Sequence, residues 1–384
     1  MRALSKSALE MPASGIREIM ELAWKTPDCI HLEVGQPDFP TPEHIKEAGI
    51  QAIRNNFTSY TPSRGIVELR EAICLKLLDK NGIGARGENV TVCPGAVTAL
   101  DSSIMAIVED GDEVLLPDPG WPNPEMMVRF LQATPVHYLL YPYLGFFPKV
   151  DEMEKLITKK TKAIVLNTPS NPTGAVFPKE LLLEIYNLVS KYDLYLITDE
   201  IYEDLVFDGE YFSIASQDKE NRVVSVFGFS KSYAMTGWRL GYVYAPKNIS
   251  AIITKLQEPL VSCASSISQK AAAAALNGPR EPVEMMKNVY RRRRDLAVSI
   301  LKEHGLYEYT PGGAFYVMVN VGKLGRNSRQ VAKFLLKEYK VAVAPGTAFG
   351  QSMGEYVRVS LAASEEDIKT GLERICRAVK EAAS

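Results

Sequence analysis

The segment Ser230-Lys231-Ser232-Tyr233-Ala234-Met235-Thr236-Gly237-Trp238-Arg239 sets one lysine among small and hydroxylated residues, with an arginine eight positions on. The apolar run Arg222-Val223-Val224-Ser225-Val226-Phe227-Gly228-Phe229 precedes it and reads as a buried strand. A lysine delivered by the end of such a strand loses hydration, which disfavours the ammonium and favours the nucleophilic amine. That is the chemistry of a lysine that bonds covalently to a carbonyl. Most lysines sit on the surface and do none of this, so the segment needs partners.

Three further segments supply them. Leu194-Tyr195-Leu196-Ile197-Thr198-Asp199-Glu200-Ile201-Tyr202 runs a buried strand into an acid, Asp199, and a phenol, Tyr202. Ligands of open α/β sheets bind at the carboxyl ends of strands, where this acid falls. Asn167-Thr168-Pro169-Ser170-Asn171-Pro172-Thr173-Gly174 follows another strand. Its prolines and glycine make a rigid turn that can hold the Asn171 amide as a donor. Pro94-Gly95-Ala96-Val97-Thr98-Ala99-Leu100 follows a third strand and opens a helix, where free N–H groups and the helix dipole suit a phosphate. Taken alone, the Asp199 segment reads better as a helix cap or surface turn, the Asn171 segment also reads as a plain turn, and the Gly95 segment is a weak signal. Together they describe one site.

The elements that must position these residues read as an α/β fold. Short apolar runs rich in β-branched residues recur at Val90-Cys93, Glu113-Leu116, Val136-Leu140, Ala163-Asn167, Leu194-Thr198, Val223-Gly228 and Leu240-Tyr244. Helical patterns fall at Val67-Leu78, Ala96-Val108, Pro178-Lys191 and Ile267-Leu276. Strands alternating with helices predict a mostly parallel seven-stranded sheet between helices. The run at Leu240 follows Lys231 too closely for a crossover helix, which marks it as the antiparallel exception. A long helix over Pro282-His304 leads to strand-like Ala314-Val319, helix-like Arg329-Tyr339, strand-like Tyr356-Leu361 and a last helix from Glu365. The expected division is a large cofactor-binding domain over 46–285 and a smaller α+β domain over 286–384. The N-terminal segment 1–45 is expected to pack with the smaller domain.

Composition excludes several classes. The 384 residues carry 46% hydrophobic and 23% charged side chains and a net charge of −2, which gives no general attraction to nucleic acid or anionic membrane. Met1 to Ser14 holds no apolar stretch of signal-peptide length, and no run approaches a membrane span, so the cytoplasm is the default location. Five cysteines without a C-x-x-C pair and four scattered histidines support neither a disulfide framework nor a metal site. Gly82-Ile83-Gly84-Ala85-Arg86-Gly87 matches G-x-G-x-x-G, but a helix precedes it and a strand follows, the reverse of a dinucleotide site. It reads as a helix C-cap and loop. Arg291-Arg292-Arg293-Arg294 reads as a solvated, salt-bridged helix face.

An active lysine, a buried acid, a phenol, an amide donor and a phosphate cradle together describe a site for pyridoxal phosphate. With Asn171-Pro172-Thr173-Gly174, Asp199-Glu200-x-Tyr202 and Ser230-Lys231 through Gly237-Trp238-Arg239 in this order, the chain resembles a class I/II aminotransferase of fold-type I. The resemblance extends from Val34-Gly35-Gln36-Pro37-Asp38-Phe39 to Tyr356-Val357-Arg358-Val359-Ser360-Leu361. It implies that Lys231 is the Schiff-base lysine and moves a proton at the substrate Cα. Asp199 would pair with the pyridinium nitrogen, and Tyr202 and Asn171 would hydrogen-bond the ring oxygen. Gly95, Ala96, Ser230 and Arg239 would hold the phosphate, and Trp121 would stack on the ring. Arg358 would grip the substrate α-carboxylate as a fork, near Gly35, Asn171 and Trp121. Tyr60 would reach the phosphate of a neighbouring subunit, making a homodimer.

The implied activity is amino transfer from an L-α-amino acid to a 2-oxo acid by a ping-pong cycle, within amino acid metabolism. The same scaffold also serves β-eliminating C–S lyases, aminocyclopropanecarboxylate-synthase-like enzymes and cofactor-binding regulatory proteins. Two departures stand out: Gly228 replaces a serine common at its position, and Pro124 replaces an aromatic residue near the substrate mouth. No second arginine for a dicarboxylate side chain is identifiable.

Overall fold

The seven apolar runs form one sheet in the computed structural model, which describes residues 4–9, 11 and 15–382. In chain order the strands are β1 (Ile30–His31), β2 (Val90–Cys93), β3 (Glu113–Asp118), β4 (Thr134–Leu139), β5 (Thr161–Asn167), β6 (Tyr195–Asp199), β7 (Val223–Gly228), β8 (Gly241–Tyr244), β9 (Tyr316–Asn320), β10 (Val341–Ala342), β11 (Ala344–Pro345) and β12 (Tyr356–Ser360). The large sheet has the order β2-β8-β7-β6-β5-β3-β4. Only β8 runs against its neighbours β2 and β7; the other pairs are parallel.

Alternation explains why both faces are covered. Along β3, Val114 and Leu116 join one apolar cluster while Leu115 joins the other, and β5 divides in the same way, with Ala163 and Val165 opposite Ile164 and Leu166. Successive strand side chains point to opposite faces, so a continuous apolar run needs helices on both. Helix Gly95–Ile107 packs on β7 and β8 from one side. Because six strands are parallel, the ends of β2, β3, β5, β6 and β7 share one edge of the sheet. That edge carries the segments after Cys93, Asp118, Asn167, Asp199 and Gly228.

The smaller sheets tie distant parts of the chain together. β11, β12 and β9 form an antiparallel sheet, and β1 pairs in parallel with β10. The Ser360 N–H also donates to the Leu32 carbonyl at 2.8 Å. Part of the N-terminal segment, residues 1–3, 10 and 12–14, lies outside the described residues. Helices Gly15–Ala23, Glu43–Arg54, Asn123–Phe130, Val150–Lys155 and Lys247–Val261 add to those expected from the sequence. No helix among the described residues is long and apolar enough to cross a membrane.

The glycine-rich decoy is the cap that its order predicts: Gly82 ends helix Val67–Asn81 with φ +68°, and its N–H bonds the Leu78 carbonyl. The arginine run differs from expectation. Arg291 and Arg292 are exposed, but Arg293 and Arg294 are buried on helix Glu281–Glu303. Arg293 forks onto Asp38 at 2.8 and 2.7 Å, and Arg294 donates to Asp208, Asp295 and the Pro311 carbonyl. Four consecutive positions sweep about 300° around a helix, most of a turn, so the run spans two faces, and only one is solvated.

Candidate active site

A cavity of about 630 Å³ opens at the shared strand edge and collects most of the expected residues: Gly35, Ala96, Trp121, Asn171, Asp199, Tyr202, Ser230, Lys231, Arg239 and Arg358. The turn after β7 carries Lys231 into it, where Nζ donates to the Gly35 carbonyl at 2.6 Å. Burial, reinforced by the nearby Arg358 and Arg239 and opposed by Asp199, pulls the lysine pKa down to about 8.

Asp199 ends β6 and is 5% exposed. Burial raises its pKa to about 7; the Ile201 N–H, which donates to Oδ1 at 3.2 Å, and Lys231 oppose the rise, while Glu200 adds to it. The adjacent Glu200 turns away from the cavity and accepts from Thr198, Ser213 and Tyr211. Thus the two neighbouring acids face opposite sides, as alternation along a strand requires. Tyr202 is buried, its hydroxyl 2.8 Å from that of Tyr316, and burial first and Tyr316 second hold its pKa well above an ordinary phenol.

At the far end Arg358, 2% exposed on β12, donates through Nη1 to Asn171 Oδ1 at 2.9 Å and through Nη2 to the Glu33 carbonyl at 2.6 Å. Since Oδ1 of Asn171 is taken, its Nδ2 is the group left to donate to a ligand. Arg358 Nε is buried without a partner among the described residues. The guanidinium lies 4.3 Å from the Tyr316 ring centre and 4.8 Å from that of Phe349.

Gly95 begins its helix with φ +89°, and a Cβ there would lie 2.6 Å from Arg239 Nη2. Only glycine lets that arginine close on the helix N-terminus, where positive potential already gathers. At Gly228 a Cβ would lie 2.5 Å from Ile201 Cδ1, so the isoleucine fills the space that a serine side chain would need. Pro124 lies in helix Asn123–Phe130 and lines a neighbouring cleft with Trp121, not the cavity itself. The cavity likewise leaves out Tyr60, which is 90% exposed in the single chain.

Some residues at the site escaped sequence reasoning. Asn167 donates to the Asp199 carbonyl at 3.1 Å and accepts from the Asn171 N–H at 2.7 Å, tying the ends of β5 and β6 to the turn. Its place at the start of the Asn-Pro turn was the available signal. Tyr316, Thr236 and Ile16 also line the cavity and carry no local signal.

These residues fit pyridoxal phosphate. A buried acid without a cationic hydrogen-bond partner suits a protonated ring nitrogen, an amine of lowered pKa suits an aldehyde, and an arginine over a helix N-terminus suits a phosphate. The comparisons agree. Residues 27–375 match the family described as aminotransferase class I and II. The chain is 38% identical to aromatic-amino-acid aminotransferase 2 of Thermococcus litoralis, covering 99% of each. It is 39% identical to the aspartate/prephenate aminotransferase of Thermus thermophilus, covering 98% of this chain and 99% of the relative. The crystal structure of Pyrococcus protein-A1 superposes with a TM-score of 0.96 at 41% identity, covering 99% of both chains. These likenesses favour amino transfer over the eliminating and regulatory readings. The chain therefore belongs to the class I and II aminotransferases, pyridoxal-phosphate-dependent enzymes that act on small amino and oxo acids.

Proposed function

We propose that this chain works as a cytoplasmic homodimer that moves the amino group of an L-α-amino acid to a 2-oxo acid in two half-reactions. One observation carries the reading: a single cavity gathers a lysine of lowered pKa, an acid of raised pKa and a buried arginine. When bound, pyridoxal phosphate supplies an aldehyde for the substrate amine and a ring that takes up the electrons left on Cα. Lys231 would supply the amine that such an aldehyde needs and the base that moves a proton at the substrate Cα. Asp199 would keep the ring nitrogen protonated. Tyr202 and Asn171 would donate to the ring oxygen, and Trp121 would hold the ring.

Gly95, Ala96, Ser230 and Arg239 would hold the phosphate, joined by Tyr60 of a partner subunit. Arg358 fixes the α-carboxylate near Gly35, which orients the Cα–H bond toward Lys231. The domain division at 45/46 and 285/286 belongs to the same proposal; the β1–β10 pairing supports uniting the N-terminal segment with the C-terminal part.

The test is a half-reaction. Purified protein loaded with the cofactor should absorb in the visible, and an amino acid should bleach the band. Lys231→Ala should lose about 10²- to 10⁴-fold in transfer rate, the usual worth of a positioned acid–base group. A Lys231→Ala protein with undiminished transfer would sink the reading.

A further inference from the structure

We infer that the amino donor of this enzyme carries an uncharged, apolar or aromatic side chain, held by a subsite that includes Ile16, Val34 and Val97. The inference rests on the aminotransferase reading above and adds its substrate class. It follows from the charges that line the cavity. Among the described residues these are Lys231, Asp199, Arg239 and Arg358 and no others.

Each already has a task. Arg239 lies against Gly95 at the helix N-terminus, the phosphate end. Arg358, bonded to Asn171 and to the Glu33 carbonyl, forms the α-carboxylate end. Lys231 must shed its charge to act, and Asp199 would pair with the ring nitrogen. On this chain a second carboxylate on the substrate would find no further cation, and a side-chain ammonium no further acid. An ionised group placed there would lose hydration without a compensating partner.

The rest of the wall is uncharged: polar groups such as Gln36, Asn167, Ser230 and Thr236 share it with an apolar portion. Ile16 reaches the cavity from helix Gly15–Ala23, Val97 lies in the first turn of helix Gly95–Ile107, and Val34 directly precedes Gly35, whose carbonyl meets Lys231. These branched side chains come from two helices and the segment before Gly35, with Trp121 also in the lining. Their surface rewards burial of an apolar side chain in proportion to its area.

The experiment uses the cofactor-loaded wild-type protein and compares single-turnover rates for phenylalanine, leucine, aspartate and lysine. Phenylalanine or leucine should exceed aspartate and lysine by at least about tenfold in kcat/KM. Calorimetry provides a readout without turnover: 3-phenylpropionate should bind at least about tenfold tighter than succinate. Ile16→Lys should shift the aspartate-to-phenylalanine ratio toward aspartate by about tenfold or more, and a ratio cancels any general loss of folded protein. Aspartate preferred by the wild type, succinate bound as tightly, or an unchanged ratio in Ile16→Lys would each overturn the subsite while leaving the aminotransferase reading intact. No conversion of any amino acid would overturn both.

Discussion

Asp199 and Lys231 meet the same cavity with their ionisation displaced in opposite directions, and burial is the first cause of both shifts. In the cofactor-free chain the Asp199 pKa rises from 3.8 to about 7, so the folded protein keeps a proton that the unfolded chain releases between those values. The stability contributed by Asp199 is therefore fully present below about pH 4 and lost as the pH climbs through about 7. Asp199→Asn cannot titrate. The stability of the apo wild type relative to apo Asp199→Asn should fall by a few kcal/mol across that window, at about 1.4 kcal/mol per pH unit. Urea midpoints of both apo proteins near pH 4.5 and pH 7.5 measure it, and a constant difference would mean that Asp199 titrates like an exposed acid. Arg358 makes a second prediction. Its fork spans Asn171 and the Glu33 carbonyl, a geometry that an ammonium cannot reproduce. Arg358→Lys should raise KM for amino acids at least about tenfold while the absorbance of the bound cofactor stays in place. An unchanged KM would remove Arg358 from the carboxylate end.

At the scale of elements, the strands were readable and the links between them were not. All seven strands of the large sheet lie within two residues of their expected limits, and β8 is antiparallel as its short approach from Lys231 required. Their apolar, β-branched composition is a local signal, so a local reading reaches it. Asn167, Tyr316 and the Glu33 carbonyl act through partners remote in sequence, at Asp199, Tyr202 and Arg358. No spacing rule connects such positions. The arginine run failed for the same reason, because its buried half is defined by what packs against it. Arg293 links helix Glu281–Glu303 to Asp38, three residues after the Gly35 whose carbonyl receives Lys231. Arg293→Ala should cost about 2–4 kcal/mol, since it strands a charge in a mostly buried pair, whereas exposed Arg291→Ala should stay within about 0.5 kcal/mol. Denaturant unfolding of both variants checks this, and a cycle with Asp38→Ala should give a coupling above about 1 kcal/mol. Equal effects at 291 and 293 would restore the reading of a wholly solvated run.

Two expected participants, Gly95 and Tyr60, do not line the cavity; Gly95 abuts Arg239 at its margin, whereas Tyr60 stands away from it. Tyr60 is 90% exposed, and close to it in sequence helix Val67–Asn81 leaves Val67, Leu75 and Leu78 uncovered along one face. An apolar helical face that the chain does not cover suits a second copy, and a two-fold dimer makes each contact twice. If Tyr60 serves the partner's cavity, defects at Lys231 and Tyr60 must complement across subunits. In a mixed dimer of Lys231→Ala and Tyr60→Ala chains, one cavity inherits both defects, and the other pairs an intact Lys231 with an intact Tyr60. Random exchange of equal amounts makes about half of the dimers mixed, so about a quarter of all cavities regain the wild-type set. Subunits mixed under mild denaturant and then refolded should recover cofactor affinity and transfer rate to about that fraction, above the mean of the two parent variants. If Tyr60 served its own chain's cavity, every mixed dimer would hold one lysine defect and one tyrosine defect in separate cavities. The mixture would then give only the mean of its parents, and the shared site would be excluded.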